Sequence, residues 1–443
     1  MKISLSDHFT YKKLFRFCFA PIIMMIFTSI YGVVDGLFVS NFVGKTPFAA
    51  INLVMPFIMV LCGFGFMIGA GGSALVSKTL GEGDKDKANR YFTMMIVLTV
   101  ILGVIFTVVG ILFIRPISVL LGATDDMLGD CCLYGRVILI FNVPFMLQSV
   151  FQTFLTTAEK PKLGLVMTVA AGCTNMALDA LFIAGFKMGV GGAALASGLS
   201  AAVGGIAPMV YFMCKNSSLL RLVRTRLEWR ALVQACANGA SELMSNISGS
   251  LVSIVYNFQL IKLAGENGVA AYGVLMYVQF IFIAVFIGYT IGTSPVIGYH
   301  YGAQNNSELK NLLKKSMIIT GVTGVVMMIA AQLLAYPLAK IFVGYDLELF
   351  EMTCRAFKLF SYAFVLAGMN IFISSLFTAL NNGAISAAIS FLRTLVFQML
   401  SVILLPMILD LDGIWLAVGL AEVCAFLVSL IFLIAKRKRY NYF

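Results

Sequence analysis

The sequence predicts an all-α polytopic membrane protein, with twelve transmembrane helices in two parallel six-helix bundles related by an internal repeat. Its 443 residues are 60% hydrophobic and only 12% charged, about half the charged fraction of a soluble protein. Many apolar runs exceed the ~20 residues that cross a bilayer. The two halves of the chain also match each other at a constant offset.

Twelve apolar segments are separated by short polar loops. They lie at residues 15–43, 47–77, 89–114, 127–157, 162–186, 191–214, 232–261, 268–299, 310–335, 348–379, 384–408 and 412–435. Several are longer than a bilayer requires, so we expect tilted or kinked helices. The first is too long for a cleavable signal and lacks a small-residue cleavage site, so we expect it to be retained.

Basic residues gather in the loops on one side of the predicted membrane. They run from Lys12, Lys13 and Arg16 at the N-terminus to the tail at 436–439. This bias places both termini in the cytoplasm. The net charge of +11 gathers in short loops, which argues for membrane orientation and against nucleic-acid binding.

The internal repeat emerges when the chain is slid against itself by 221 residues. The matched pairs include Gly44 with Gly265, Gly71 with Gly292, Gly81 with Gly302, Pro116 with Pro337, and 192–199 with 413–420. We therefore expect an N-lobe at 1–221, a C-lobe at 222–443 and a cytoplasmic linker at about 215–230. Parallel repeats of this kind enclose a substrate cavity and rock to open it on alternate sides.

No enzyme signature is present in the sequence. There is no Walker P-loop, and the only histidines, His8 and His300, flank the apolar segments. The nine cysteines form no CxxC or Cys/His pattern and are typical of buried small hydrophobes. We expect no catalytic residue and no cofactor.

Asp35, on the first apolar segment, is the leading candidate for an ion-binding residue. A charge at membrane depth costs several kcal/mol, so it is kept where it faces a protein interior or a wet cavity. Asp179 on helix 5, Asn175 one turn before it, and Ser197 on helix 6 lie at the same depth as Asp35. Their oxygens suit a hard cation such as Na⁺; alternatively, two close carboxylates share a proton. For Asp179 a helix cap remains the structural alternative.

The second half carries three other buried charges. Glu242 and Arg393 lie at equal depth, which is compatible with an ion pair or with a substrate contact. Glu422 has no obvious partner in the sequence and could attract a cationic substrate. In the first half, Arg136 either extends to the surface or pairs with Asp179.

Pro21 interrupts the backbone hydrogen bonding of helix 1. Because Asp35 lies on the same helix, protonation could be linked to bending. A static kink is the alternative, since proline is common in membrane helices.

Four stretches resemble the multidrug and toxic compound extrusion (MATE) family over almost the whole chain. They are Pro21 with 34–35, the SKTLGEGD run at 77–84, AEKPK at 158–162, and Asn175 and Asp179 followed by GGAALAS at 191–197. The resemblance implies that Asp35, Asn175, Asp179 and Ser197 form an N-lobe ion site and that Pro21 is the hinge of helix 1. It favours the DinF-like branch.

The resemblance implies a bacterial plasma-membrane antiporter that exports lipophilic organic cations in exchange for H⁺ or Na⁺. We expect a monomer in the bilayer whose only partners are small molecules and lipid. The close alternative is a flippase for a lipid-linked or amphipathic precursor, although few basic residues lie at depth to hold a pyrophosphate. A membrane-embedded enzyme would need a catalytic constellation that the sequence lacks.

Overall fold

The computed structural model describes residues 3–442, and the first half of the chain forms six membrane spans. Spans 1 to 3 are Tyr11–Phe42, Lys45–Gly81 and Lys85–Leu120; span 4 is the bent pair Asp125–Ile140 and Asn142–Thr157; span 5 is Pro161–Asp179 with a π-helical turn at Ala180–Gly185; span 6 is Gly189–Met213. The two parts of span 4 meet at 55°.

The second half contains six further spans. Spans 7 and 8 form the run Trp229–Gly302; span 9 is Asn306–Val343; span 10 is Leu347–Phe360 and Phe364–Ala379 joined by Ser361–Ala363; span 11 is Gly383–Phe391, the π-turn Leu392–Phe397 and Gln398–Leu404; span 12 lies within Pro406–Tyr440. The 74-residue run would be about 110 Å long as one helix, far more than a bilayer. It is broken at Gly265 (φ 58°), so residues 3–442 contain twelve spans, as predicted.

The repeat is visible in where the backbone breaks. Gly44 (φ 107°) separates spans 1 and 2, and Gly265, at the matched position, separates spans 7 and 8. Span 4 bends at Phe141, and span 10 bends at the matched segment Ser361–Ala363. Both glycines adopt a left-handed conformation that a side chain would oppose. Two repeated halves are therefore confirmed. Residues 214–228 between them are helix-free, and the linker at about 215–230 stays a prediction.

Spans 2 and 8 cross with their backbones in contact on the side of the molecule that carries both termini. A Cβ built on Gly81 would lie 1.9 Å from the carbonyl oxygen of Tyr299, and one on Gly302 would lie 2.0 Å from that of Lys78. The two contacts are equivalent under the repeat. Only glycine permits this approach, so the lobes are locked together on this side, which we call the terminal side.

The hydrophobic core has three large parts, one on the terminal side and two on the opposite side, and a small fourth cluster between spans 1 and 8. The terminal-side core combines residues of both lobes, such as Phe92, Phe154, Val296 and Phe377. On the opposite side, each lobe has its own core, one reaching from Val39 to Ala194 and the other from Val252 to Val418. The lobes are therefore joined at the terminal side and packed separately at the other.

Candidate ion and substrate site

Spans 1 and 5 bring two carboxyl groups together in the N-lobe. The Asp35 side chain lies within hydrogen-bonding reach of Asp179 and Asn175. The helices approach closely because Gly172 faces span 1: a Cβ there would lie 2.4 Å from the ring of Phe27. Counting helix rise from the sequence had placed these three residues at one depth, and the structure places them in contact.

Four oxygens in this cluster are buried without a hydrogen-bond donor. They are Oδ1 of Asp35, both carboxyl oxygens of Asp179 and the amide oxygen of Asn175. Asp179 is 0% exposed and Asn175 is 2% exposed. Among the side chains that the structure describes, which leave out residues 37, 40, 41 and 45, no lysine or arginine pairs with either carboxylate. Unpartnered buried oxygens are costly, so the arrangement suits a proton or a hard cation that supplies the missing partner.

Tyrosines lie beside the carboxyl pair, although they were not among the residues predicted to form the site. Tyr134 of span 4 is 3% exposed and close enough to both carboxyl groups to feel their charge. Tyr31, one turn before Asp35, lies within hydrogen-bonding reach of Gln148. The spacing of Tyr31 and Asp35 could have indicated a shared face, but nothing in the sequence connects Tyr134 to the pair.

A π-helical turn begins directly after Asp179. The Phe186 amide donates to the carbonyl of Leu181 at 2.8 Å, the i→i+5 pattern of a π-helix. Such turns are frequent at functional sites. The widened turn rotates the residues after Asp179 relative to the α-helix before it, which hydrophobic periodicity does not predict.

Ser197 and Pro21 lie on spans 6 and 1, and the structure places neither in contact with the carboxyl pair within the described residues. Ser197 is partly exposed on span 6, which packs against span 5, and its hydroxyl makes no hydrogen bond within the described part of the chain. Pro21 lies inside span 1 and faces the C-lobe: a Cβ on Gly288 of span 8 would be 2.7 Å from its carbonyl oxygen. The proposed roles of these two residues stay predictions.

A cavity of about 60 Å³ lies between the two lobes and contains one acidic residue, Glu242. Residues of both lobes line it, including Phe66, Ser73 and Thr153 from one side and Ser294 and Thr378 from the other. No basic residue lines it. A negative charge in a cavity walled by hydroxyl and apolar groups favours a positively charged guest.

Arg393 pairs with Glu422, which corrects two expectations from the sequence. The Arg393 Nη2 lies 2.8 Å from Glu422 Oε1, and Nε donates to both carboxylate oxygens at 2.9 and 3.0 Å. Asn370 also donates to Glu422 Oε2 at 2.7 Å. The suggested Glu242–Arg393 ion pair is wrong, because Arg393 is held elsewhere. Glu422 is likewise not a free charge for attracting a substrate.

Two further positions distinguish the lobes. Arg136 is exposed and pairs with no acidic residue in 3–442, so the suggested contact with Asp179 is wrong. Tyr256 occupies the C-lobe position that matches Asp35 and stacks on Tyr272 at 4.8 Å between ring centroids. A carboxyl pair is therefore present in the N-lobe and is replaced by stacked tyrosines in the C-lobe.

The donor set around Asp35 fits a monovalent ion better than a divalent metal. No group of three His, Cys, Asp or Glu side chains that could hold a metal occurs within residues 3–442. Two carboxylates and an amide oxygen are sufficient for a proton or Na⁺. The geometry is thus a buried carboxyl cluster in one lobe and an acidic cavity between the lobes.

Comparison with known proteins identifies a family model and several relatives that match the chain. A family model described as MatE matches residues 21–181 and again 243–404. The multidrug export protein MepA of Staphylococcus haemolyticus (strain JCSC1435) is 24% identical over 95% of this chain and 93% of its own length. MepA of Staphylococcus aureus (strain MSSA476) is 26% identical over 84% of this chain and 82% of its own.

A solved structure supports the same fold. It is described as the outward-facing conformation of a multidrug resistance MATE family transporter of the MOP superfamily. Its TM-score against this chain is 0.93, at 23% identity, with 98% of each chain covered. At this identity the likeness concerns the fold alone.

Proposed function

Because the chain belongs to the MatE family of membrane transporters, we propose that it exports small organic cations in exchange for inward H⁺ or Na⁺. It works as a monomer in the bacterial plasma membrane, with both termini in the cytoplasm and no cofactor beyond the coupling ion. The named relatives are multidrug export proteins, which supports a role in drug export for this chain.

The observation that carries the proposal is the carboxyl pair of Asp35 and Asp179 with its unpartnered oxygens. An empty, doubly ionised pair is unfavourable in a poor dielectric, and a proton or Na⁺ relieves it. Ion binding therefore changes how tightly spans 1 and 5 pack. Since Pro21 of span 1 contacts Gly288 of span 8, that change reaches the lobe interface and biases the two access states.

The cationic character of the substrate follows from Glu242. Among the described residues that line the cavity between the lobes it is the only charged one, and the direct ion pair of the nearby Arg393 is with Glu422. With the terminal side closed, we expect the cavity to widen around an organic cation and to open toward the opposite side. With the positive-inside orientation, that direction is export.

Purified protein in vesicles tests the coupling directly. We expect efflux of a fluorescent organic cation when a proton or sodium gradient is imposed alone, and no efflux without a gradient. A protonophore should abolish efflux driven by the proton gradient, and a sodium ionophore should abolish efflux driven by the sodium gradient. Dye movement that ignores both gradients would contradict the antiporter, and gradient-independent translocation of a labelled lipid would favour the flippase.

Replacing the cavity acid should change selectivity more than stability. Glu242→Gln should reduce the transport of cationic dyes by about tenfold, the effect of roughly 1.4 kcal/mol of lost charge attraction, and spare neutral substrates. The matched control is Glu266→Gln, at an exposed position in the same lobe. Equal losses for cationic and neutral substrates would remove Glu242 from a role in selectivity.

A further inference from the structure

The chain before span 1 is folded into the seam between the lobes on the terminal side. Leu5 and Phe9 are each 0% exposed and belong to the core that both lobes share. Asp7 closes a turn by accepting from the Ser4 amide at 3.0 Å, and its ion pair with Lys13 lowers the pKa of Asp7. We call residues 3–10 the N-terminal strap.

One end of the strap is bound to the N-lobe. The Ser4 hydroxyl donates to Glu159 Oε1 at 2.6 Å, and the Leu5 amide donates to the same oxygen at 2.9 Å. Glu159 lies in the turn between spans 4 and 5. This carboxylate therefore fixes the start of the strap to the same lobe that carries the ion site.

The other end is bound to the C-lobe at the start of span 9. Glu308, 5% exposed, accepts from the Phe9 amide at 2.9 Å, and its Oε2 lies 2.6 Å from His8 Nδ1. The Phe9 carbonyl accepts from Asn311 at 3.0 Å and from Lys315 at 2.6 Å. The strap thus makes charge-assisted hydrogen bonds to both lobes.

We propose that the strap is the terminal-side gate of the transport cycle and that Glu308 is its positioning residue. The inference rests on the alternating access of the proposed function. If Ser4 and Leu5 stay on Glu159 and Phe9 stays on Glu308, opening the seam on the terminal side stretches the strap and breaks the turn that Asp7 closes. Opening therefore breaks strap contacts, either this turn or those at one end, which makes them part of the energy difference between the two access states.

His300 adds a contact between the strap and the C-lobe. Its ring is 2% exposed and lies beneath the strap. The ring is within hydrogen-bonding reach of the backbone of Leu5 and Asp7. Opening the seam would separate the ring from the strap and hydrate both, so this contact also belongs to the closed state.

Reversible cross-linking tests whether the strap must release for export, since a covalent bridge replaces the contacts that Glu308 makes. His8→Cys combined with Glu308→Cys, joined by a short bis-methanethiosulfonate, should stop export while retaining substrate binding, and a reductant should restore export. Each single-cysteine variant and the wild type, treated alike, control for the native thiols. If the cross-linked protein exports at the wild-type rate, the gate is refuted. If the wild type itself fails to export under either gradient, the proposed function fails instead.

A buried reporter measures opening of the seam. Ser77 of span 2 is 0% exposed and faces Gly298 of the C-lobe, where a Cβ would lie 2.3 Å from its hydroxyl. In a Ser77→Cys protein, Glu308→Ala should speed labelling by a polar thiol reagent at least about tenfold, since it removes several charge-assisted hydrogen bonds at once. Lys310→Ala, exposed on the same helix, is the matched control. Equal labelling rates in the two variants would overturn the proposal.

Discussion

Asp35→Asn is expected to abolish gradient-driven export while leaving the protein at least as stable as the wild type. The substitution removes a charge whose buried oxygen has no donor, so the free energy of unfolding should not fall. The coupling ion loses one of its two carboxylates. We expect the export rate under an imposed gradient to drop at least about tenfold, the effect of 1.4 kcal/mol of lost differential binding.

Asp179→Asn should have the same effect, and the double variant should be no worse than either single variant. The two carboxyl groups lie within hydrogen-bonding reach of each other. In the proposed mechanism they share one ion, so removing either one destroys the site. Independent sites would give losses that multiply. The pattern of the double variant therefore separates a shared ion site from two separate contributions.

The control for this series is Asp86→Asn, at an exposed carboxylate in the first turn of span 3. Export should be unchanged there. Substrate-induced proton or sodium release from purified protein gives an independent readout and should be absent in Asp35→Asn. An Asp35→Asn protein that exports at the wild-type rate along an ion gradient would refute the coupling mechanism.

The sequence was sufficient to predict features that depend on depth and spacing. Helix rise alone placed Asp35, Asn175 and Asp179 at one level, and the structure brings them into contact. The predicted loops between segments 15–43 and 47–77 and between 232–261 and 268–299 contain Gly44 and Gly265, where the backbone breaks. The family match confirms the prediction of a transporter rather than an enzyme, whereas the DinF-like branch stays a prediction.

Features that depend on helix rotation were not predictable from spacing. Arg393 lies on the π-helical turn Leu392–Phe397, where the residues per turn depart from 3.6 and the direction of a side chain shifts. Its pairing with Glu422 on span 12 could not be inferred from the sequence, because the depth of Arg393 was counted from the cytoplasmic face and that of Glu422 from the outer face. The polar strap before span 1 also has no hydrophobic period, so the burial of Leu5 and Phe9 left no signal.

Removing one partner of the Arg393–Glu422 pair should cause the largest loss of stability among these substitutions. Glu422 is 2% exposed, and the Arg393 side chain is 14% exposed. Arg393→Met leaves the buried carboxylate with Asn370 as its remaining side-chain donor. A buried charge that loses its counter-ion typically costs about 3–5 kcal/mol. The melting temperature of purified protein in detergent measures the effect.

The double variant Arg393→Met with Glu422→Leu should recover most of that loss. Replacing a buried ion pair by apolar groups of similar volume is often neutral, because the desolvation cost of both charges disappears. The recovery is therefore a coupling energy between the two positions. If the double variant melts as low as Arg393→Met alone, the pair is not the source of the loss.

The ion pair Arg355–Asp412 provides the matched control, since it joins spans 10 and 12 of the same lobe through solvent-accessible side chains. The Arg355 side chain is 69% exposed, so Arg355→Met should shift the melting temperature much less than Arg393→Met. The Arg393/Glu422 double variant should also keep ion-driven export, because the carboxyl pair lies in the other lobe. Loss of coupling in a stably folded double variant would show that the C-lobe pair takes part in transport and is more than a structural contact.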